Sequence, residues 1–187
     1  MWIKIAVAVL PAVVLGQLFD DILEEKFFNP FTVSLMLIIY GVILIIIESS
    51  KKVKVKTKTI QELSFKTAVG IGFFQCLAMI PGTSRSAATI IGGVLLGLER
   101  VLATEFSFFL AIPTMFGASF YKIMKSGFNL SGYEVFLIAL GFVLSFIISY
   151  IVIKLFLDYI KKHDFKVFGY YRIILGIVML AFMFMTK

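Results

Sequence analysis

The sequence is poor in the residues from which metal and redox centres are built. It holds one cysteine, Cys76, and one histidine, His163. A single thiol excludes an intrachain disulfide, and one imidazole with no Cys or His partner excludes a structural zinc site. Cys76 lies in an apolar segment and reads as a small inert hydrophobe. His163 sits in Lys161-Lys162-His163-Asp164 and reads as a solvated loop residue. Acidic residues are also few, 11 against 18 lysines and arginines. Charge as a whole is scarce: Asp, Glu, Lys and Arg make up 16% of the 187 residues, and long stretches carry none. That scarcity excludes an ordinary soluble domain.

What fills the chain instead is hydrocarbon. Hydrophobic residues make up 60% and the mean hydropathy is +1.03, which places the chain among all-α polytopic membrane proteins. The formal net charge of +7 would raise nucleic-acid binding in a soluble chain. Here the lysines fall in short segments between apolar runs, as the positive-inside rule requires, so the basic balance calls for no nucleic-acid partner. The opening Met1-Trp2-Ile3-Lys4 runs into an apolar stretch with no small-residue cleavage site, so no cleavable signal peptide is expected.

The apolar runs predict five spans. They are Ile5–Phe19 (with Pro11 and Gly16 as kink or packing points), Phe31–Ile47, Leu102–Tyr121, Tyr133–Leu157 and Val167–Met185. Asp20–Lys26 reads as an acidic loop, Ser49–Lys66 as a solvated basic loop on the cytoplasmic side, Lys122–Gly132 as a loop, and Asp158–Lys166 as a basic loop. Two further apolar segments, Thr67–Ile80 and Ser86–Leu98, have 14 and 13 residues. Neither is long enough to cross a core of about 30 Å at about 1.5 Å per residue. Joined by Pro81-Gly82, they predict a re-entrant helical hairpin, with one long kinked span as the alternative.

The distribution of basic residues favours the hairpin. If the hairpin returns to the side of the Ser49–Lys66 loop, thirteen of the 18 basic residues lie on that side, Arg172 among them, four lie opposite, and Arg85 sits within the membrane. If the region crossed once, the asymmetry would be much smaller.

The hairpin tip carries the chemistry. Arg85 is a permanent cation with planar donors suited to phosphate. A charged residue between apolar runs is costly to bury unless it faces a cavity and binds something there. Thr83, Ser84, Ser86 and Thr89 add hydroxyls. A half-helix starting near Ser86 would turn its free N–H groups and positive dipole end into the pocket, which is a natural anion site. Hydroxyls in membrane helices also simply bond backbone or neighbouring helices. Gln75, on the incoming arm, either contacts a phosphate or stitches the two arms. Glu105 is the one intramembrane carboxylate candidate, either as a base or as a partner orienting Arg85 or a helix end.

Pro81-Gly82-Thr83-Ser84-Arg85-Ser86-Ala87-Ala88-Thr89 closely resembles the Pro-Gly-X-Ser-Arg-Ser-X-X-Thr motif of the undecaprenyl-diphosphate phosphatase family, the bacitracin-resistance proteins. Similar family segments include Leu10–Gly16, Phe28-Asn29-Pro30, Gly72–Ala78 and Glu105–Pro113. One departure is Ala87, where the family commonly has Gly.

The resemblance implies a multi-pass enzyme of the bacterial inner membrane that hydrolyses undecaprenyl diphosphate to undecaprenyl phosphate and phosphate, recycling the cell-wall lipid carrier. It implies Arg85, Ser84 and Thr89 as catalytic residues and Gly82, Thr83, Ser86 and Gln75 as substrate-binding residues. It also implies two inverted repeats, each a re-entrant hairpin plus three spans. Residues 67–187 look like the whole second repeat, residues 1–48 like the last two spans of the first, and 49–66 like the loop between them. The family's other hairpin carries a Glu/Gln-X-X-X-Glu motif with a serine and a histidine nearby, and no Glu-X-X-X-Glu occurs in this sequence. The chain thus reads as N-terminally truncated, with half of a two-hairpin site. The remaining acid/base group would come from an upstream segment or from another chain, as in a homo-oligomer. A non-catalytic polyprenyl-phosphate binder or flippase and an inactive remnant are the alternatives. Mg²⁺ or Ca²⁺ bridging the diphosphate fits the chemistry, though no residue cluster marks a metal site.

Overall fold

The computed structural model describes residues 1–50, 54–126 and 131–185. Seven α-helices follow in order: α1 Trp2–Phe27, α2 Pro30–Ser49, α3 Phe65–Cys76, α4 Arg85–Leu95, α5 Arg100–Ser126, α6 Gly132–Lys162 and α7 Lys166–Met185. Among the described residues, α1, α2, α5, α6 and α7 are each long and apolar enough to cross a membrane, and α3 and α4 are the shorter apolar pair.

Several expected loops are helix. The stretch Asp20–Lys26 continues α1 to Phe27. Charge does not end a helix; breakers and caps do, and the first such signal after Gly16 is Asn29-Pro30. There the Asn29 side chain accepts from the Thr32 amide at 2.8 Å and Pro30 takes the first helical position. At the far end α5 runs on to Ser126; 127–130 of the expected Lys122–Gly132 loop lie outside the described residues. The expected Asp158–Lys166 loop shrinks to a short link, because α6 continues to Lys162. Asp158 and Lys161 pair at 3.3 Å, and Lys161 and Lys162 suit the negative end of the helix dipole. His163 follows directly, exposed, its ring stacked on Tyr159.

The hairpin forms as expected. Its arms are α3, extended by a 3₁₀ turn over Leu77–Met79, and α4. Their outer ends lie together, tied by the segment before α3. Lys56 donates its amide to the Gly97 carbonyl at 2.8 Å, and Glu99 donates to that of Thr57 at 3.0 Å. Thr57 and Leu98 form an isolated parallel bridge. The Ser49–Lys66 segment is therefore not a free solvated loop. Leu63 is buried in the core, and the Ile60 and Gln61 carbonyls accept from Lys4. Its positions 51–53 lie outside the described residues. The Arg100–Glu48 ion pair at 3.2 Å closes the same end of the bundle between α5 and α2.

The hairpin sits at the centre. α1 packs on α3, α5 packs on α4 and α1, and α2 pairs with α7 and touches α4. Ile5 and Ala8 of α1, Ala68 and Ile71 of α3, Ala88 and Ile91 of α4, and Phe106 and Leu110 of α5 form the buried core. In lipid no hydrophobic drive holds helices together, so close packing by small residues must. A Cβ on Gly72 would collide with the Ala8 carbonyl of α1, and one on Gly41 would lie 2.7 Å from the Gly169 carbonyl of α7.

Candidate functional site

The hairpin tip is built by the backbone first. Gly82 has φ +91°, a left-handed value that suits glycine, and its α-carbon lies against the Val33 backbone of α2. Ser84 follows at φ +66° and is the only non-glycine residue with positive φ among the described residues. That conformation costs a serine about 1–3 kcal/mol, the kind of strain that collects at functional sites. Ser84 is also the N-cap of α4, its hydroxyl accepting from the Ala87 amide at 3.4 Å, and it lies 3.3 Å from the Ser86 hydroxyl. The free N–H groups and positive end of α4 therefore open at the tip.

Arg85 lies on the side facing α3 and α5. Its Nε donates to Gln75 Oε1 at 2.9 Å, and its Nη2 donates to the same oxygen and to Thr114 Oγ1 at 3.1 Å. Among the described residues Nη1 has no hydrogen-bond partner. Gln75 thus stitches the two arms through Arg85, one of the two roles open to it. The amide is buried, and its Nε2 has no acceptor among the described residues.

The other predicted residues are placed as follows. Thr89 is fully buried. Its hydroxyl pairs with Ser107 of α5 at 2.6 Å and is within bonding reach of the Arg85 and Ser86 carbonyls. It fastens α4 to α5 and is not among the residues at the open tip. Thr83 is buried in the turn, beside Tyr40 of α2. Ser86 is exposed at the tip. Glu105 is not the partner of Arg85. It precedes Thr114 by nine residues, about 14 Å along α5 and half a turn away, so the helix that brings Thr114 to the guanidinium turns Glu105 elsewhere.

One residue at the tip escaped the sequence reading. Arg172 of α7 was grouped with the basic residues near the membrane surface, but its Nη2 donates to the carbonyls of Gly82 at 2.7 Å and Thr83 at 3.0 Å. Its Nε is buried without a partner among the described residues, and its guanidinium carbon lies 6.0 Å from the Tyr40 ring centroid. A contact spanning about ninety positions leaves no local signal; the only hint was an arginine six residues inside an otherwise apolar helix.

The tip therefore gathers two guanidinium groups, and every acceptor they use is neutral: an amide, a hydroxyl and two backbone carbonyls. The salt bridges formed by the described residues all lie elsewhere. Two cations in apolar surroundings without a counter-ion form a strong anion site. Among the described residues no carboxylate joins them and no group of three or more His, Cys, Asp and Glu could hold a metal ion.

Known proteins resemble this chain over nearly its whole length. The family described as Bacitracin resistance protein BacA matches residues 1–178. Undecaprenyl-diphosphatase 1 of Clostridioides difficile (strain 630) is 55% identical over 185 residues, 99% of this chain and 67% of that protein. Undecaprenyl-diphosphatase of Enterococcus faecalis is 51% identical over 181 residues, 96% of this chain and 66% of that protein. The Fusobacterium nucleatum undecaprenyl-diphosphatase is 54% identical over 188 residues, 98% of this chain and 71% of that protein. The chain thus spans about two thirds of the length of these relatives.

Proposed function

The chain belongs to the bacitracin resistance protein BacA family, and from that premise we propose that it hydrolyses undecaprenyl diphosphate to undecaprenyl phosphate and inorganic phosphate in the bacterial inner membrane. The observation that carries this reading is the pair of uncompensated arginines at the tip of a helical hairpin whose α4 N-terminus is open. A diphosphate supplies the negative charge that the tip lacks. A polyprenyl chain attached to it explains why such a site lies within a bundle of membrane-spanning helices.

Hydrolysis breaks the bond between the terminal phosphorus and the bridging oxygen, and water supplies the new oxygen. Charge grows on the terminal phosphoryl oxygens and on the leaving phosphate, so most of the catalysis is positioning and electrostatic stabilisation. Arg85, through its free Nη1, and the α4 amides take the phosphoryl oxygens. Ser84 and Ser86 donate hydroxyl hydrogen bonds to them. Thr89 acts through α4, which it holds against α5. Gly82 and Thr83 shape the turn, and Gln75 keeps the Arg85 fork in one orientation. The general base comes from outside this group of side chains. The tip suits an anion and offers no carboxylate to a cation, so Mg²⁺ or Ca²⁺ would be held here chiefly by the diphosphate's own oxygens. With the lysine-rich open end of the hairpin on the cytoplasmic side, the tip faces the outer leaflet.

Phosphate release from undecaprenyl diphosphate by the purified chain in detergent tests the reading. Arg85→Ala should lower the rate by about 10²–10³, as loss of a transition-state charge donor does. Arg85→Lys should recover little of it, because an ammonium lacks the planar fork. Equal rates in all three proteins would remove Arg85 from the site.

A further inference from the structure

The basic residues at the open end of the hairpin fall into two groups. Most of those on helices are answered within the protein. Lys4 donates to the Ile60 and Gln61 carbonyls, Arg100 pairs with Glu48, and Lys161 and Lys166 pair with Asp158 and Asp164. The segment leading into α3 is different. It carries a lysine at every second position from 54 to 58, and a further one at 66. All four are exposed. Among the described residues none of their ammonium groups has a hydrogen-bond or ion-pair partner. Glu62 and Glu99 lie at the same end and pair with none of them. Lys154 and Lys162 of α6 also lack partners, but they stand about two turns apart and form no cluster.

On a free tail such charges would simply be solvated. Here the backbone holds them in place. Thr57 bridges Leu98, Glu99 donates its amide to the Thr57 carbonyl, and the Lys58 amide donates to the Glu62 carboxylate at 3.1 Å. Leu63 is buried in the core. The methylene stem of Lys56 lies along Gly97, 3.3 Å from where a Cβ would stand. The four ammonium groups are thereby kept level with the outer ends of α3, α4 and α5. Those helices are apolar, so that level is the boundary between hydrocarbon and water. Val55 and Phe65 flank the lysines and are 48% and 51% exposed. The interface accommodates an apolar side chain beside a charged one better than bulk water does. The anion found at this depth is the phospholipid headgroup. We infer that residues 54–58, with Lys66, form a docking surface for anionic phospholipid headgroups, which fastens the outer end of the hairpin to the leaflet on which it opens. The surface is independent of the reaction assigned to the tip.

Native mass spectrometry of the purified chain, in mixed micelles of equal phosphatidylglycerol and phosphatidylcholine, tests the inference. The chain should retain the anionic lipid over the zwitterionic one by at least about tenfold, since each lysine near a charged surface adds to the attraction. The preference should shrink at high salt. Lys54→Gln combined with Lys58→Gln should remove most of it; Lys56 stays because its stem packs on Gly97. Lys54→Arg combined with Lys58→Arg should keep it. Lys122→Gln combined with Lys125→Gln removes the same charge from exposed positions at the other end and should change the preference by less than about twofold. Arg85→Ala should also leave it intact, because the tip is a separate anion site.

Thermal unfolding in phosphatidylcholine micelles confirms that each variant is folded before it is scored. Equal retention of the two lipids by the parent chain would overturn the inference. So would an equal loss in both Gln pairs, which would assign the preference to net charge, or its loss in Arg85→Ala, which would place the lipid at the tip. Displacement of the lipid by inorganic phosphate would reduce the surface to a small-anion site, and tighter capture of polyglutamate than of phosphatidylglycerol would make it a seat for an acidic protein. Either result would also refute the assignment to lipid.

Discussion

At the scale of single residues, Arg172 and Arg85 differ in how they are held. Arg85 uses side-chain acceptors on two helices, whereas Arg172 grips the backbone of the turn itself. A fork of two donations from one nitrogen to adjacent carbonyls fixes the direction of the turn and hence of the Ser84 hydroxyl. Lysine offers a point charge on a flexible stem and cannot copy the buried Nε and the planar geometry. Arg172→Lys should therefore lower phosphate release by about 10–10²-fold while the bundle survives. Arg172→Met should also leave the two carbonyls unpaired, at about 1–3 kcal/mol. Thermal unfolding in detergent beside the phosphate assay checks both; full activity in the Lys variant would show that the turn holds itself. Much of this site was legible in the sequence. Pro81-Gly82 announced the break and Arg85 the charge, while the helix start expected near Ser86 falls at Arg85, capped by Ser84. The partners of those residues were not. Gln75 could be placed on the opposing arm but not aimed, and Thr114 and Arg172 reach the tip only once α5 and α7 are docked.

At the scale of elements, the hairpin was legible because length is physical: two arms of about 11–14 residues joined by Pro-Gly cannot each cross a membrane. The ends of the long helices were less legible. Hydropathy marks where lipid ends, and a helix stops only where its backbone meets a breaker or cap. That is why α1 and α6 run on through charged stretches read as loops. The pair α2 and α7 is the element on which Arg172 depends. Gly41 and Gly169 face one another, each with its would-be Cβ 2.7–2.8 Å from the other's carbonyl, and a Cβ on Gly176 would lie 2.7 Å from the Ser34 carbonyl. The helices touch backbone to backbone along this seam. Gly169→Val forces them apart at a position three residues before Arg172. It should cost about 1–3 kcal/mol of stability through overpacking and lower activity as the guanidinium is drawn from the tip. Gly141→Ala, on α6 with open space around it, should leave both unchanged. The comparison of the two variants in the same thermal and phosphate assays separates seam packing from a general intolerance of larger residues.

At the scale of the whole molecule, the arrangement is a central hairpin with both ends on one face of the bundle and its two-arginine tip inside. Lys4, Lys56 and Arg100 are drawn to that face by the Ile60 and Gln61 carbonyls, the Gly97 contact and Glu48. Moving Arg172 from the surface tally to the tip leaves twelve basic residues on the hairpin's open side against four on the other, so the charge asymmetry persists without it. The long α6 stands at the periphery with nearly every side chain outward, Phe136, Phe142, Phe146 and Tyr150 among them, as lipid permits and water would not. The orientation has a direct test, made simple by the single cysteine. In a Cys76→Ala background, Lys58→Cys, Glu99→Cys, Lys122→Cys and Lys161→Cys each place one thiol at an exposed position. In sealed right-side-out vesicles, a membrane-impermeant maleimide should react with Lys122→Cys alone, and with the other three only after permeabilisation. A hairpin that crossed the membrane would instead place Glu99→Cys opposite Lys58→Cys. The bridge between Thr57 and Leu98 would then have to span the bilayer, which two paired residues cannot do. Lys58 and Glu99 therefore report together if the fold is right, and their separation would undo both the hairpin and the anion site built at its tip.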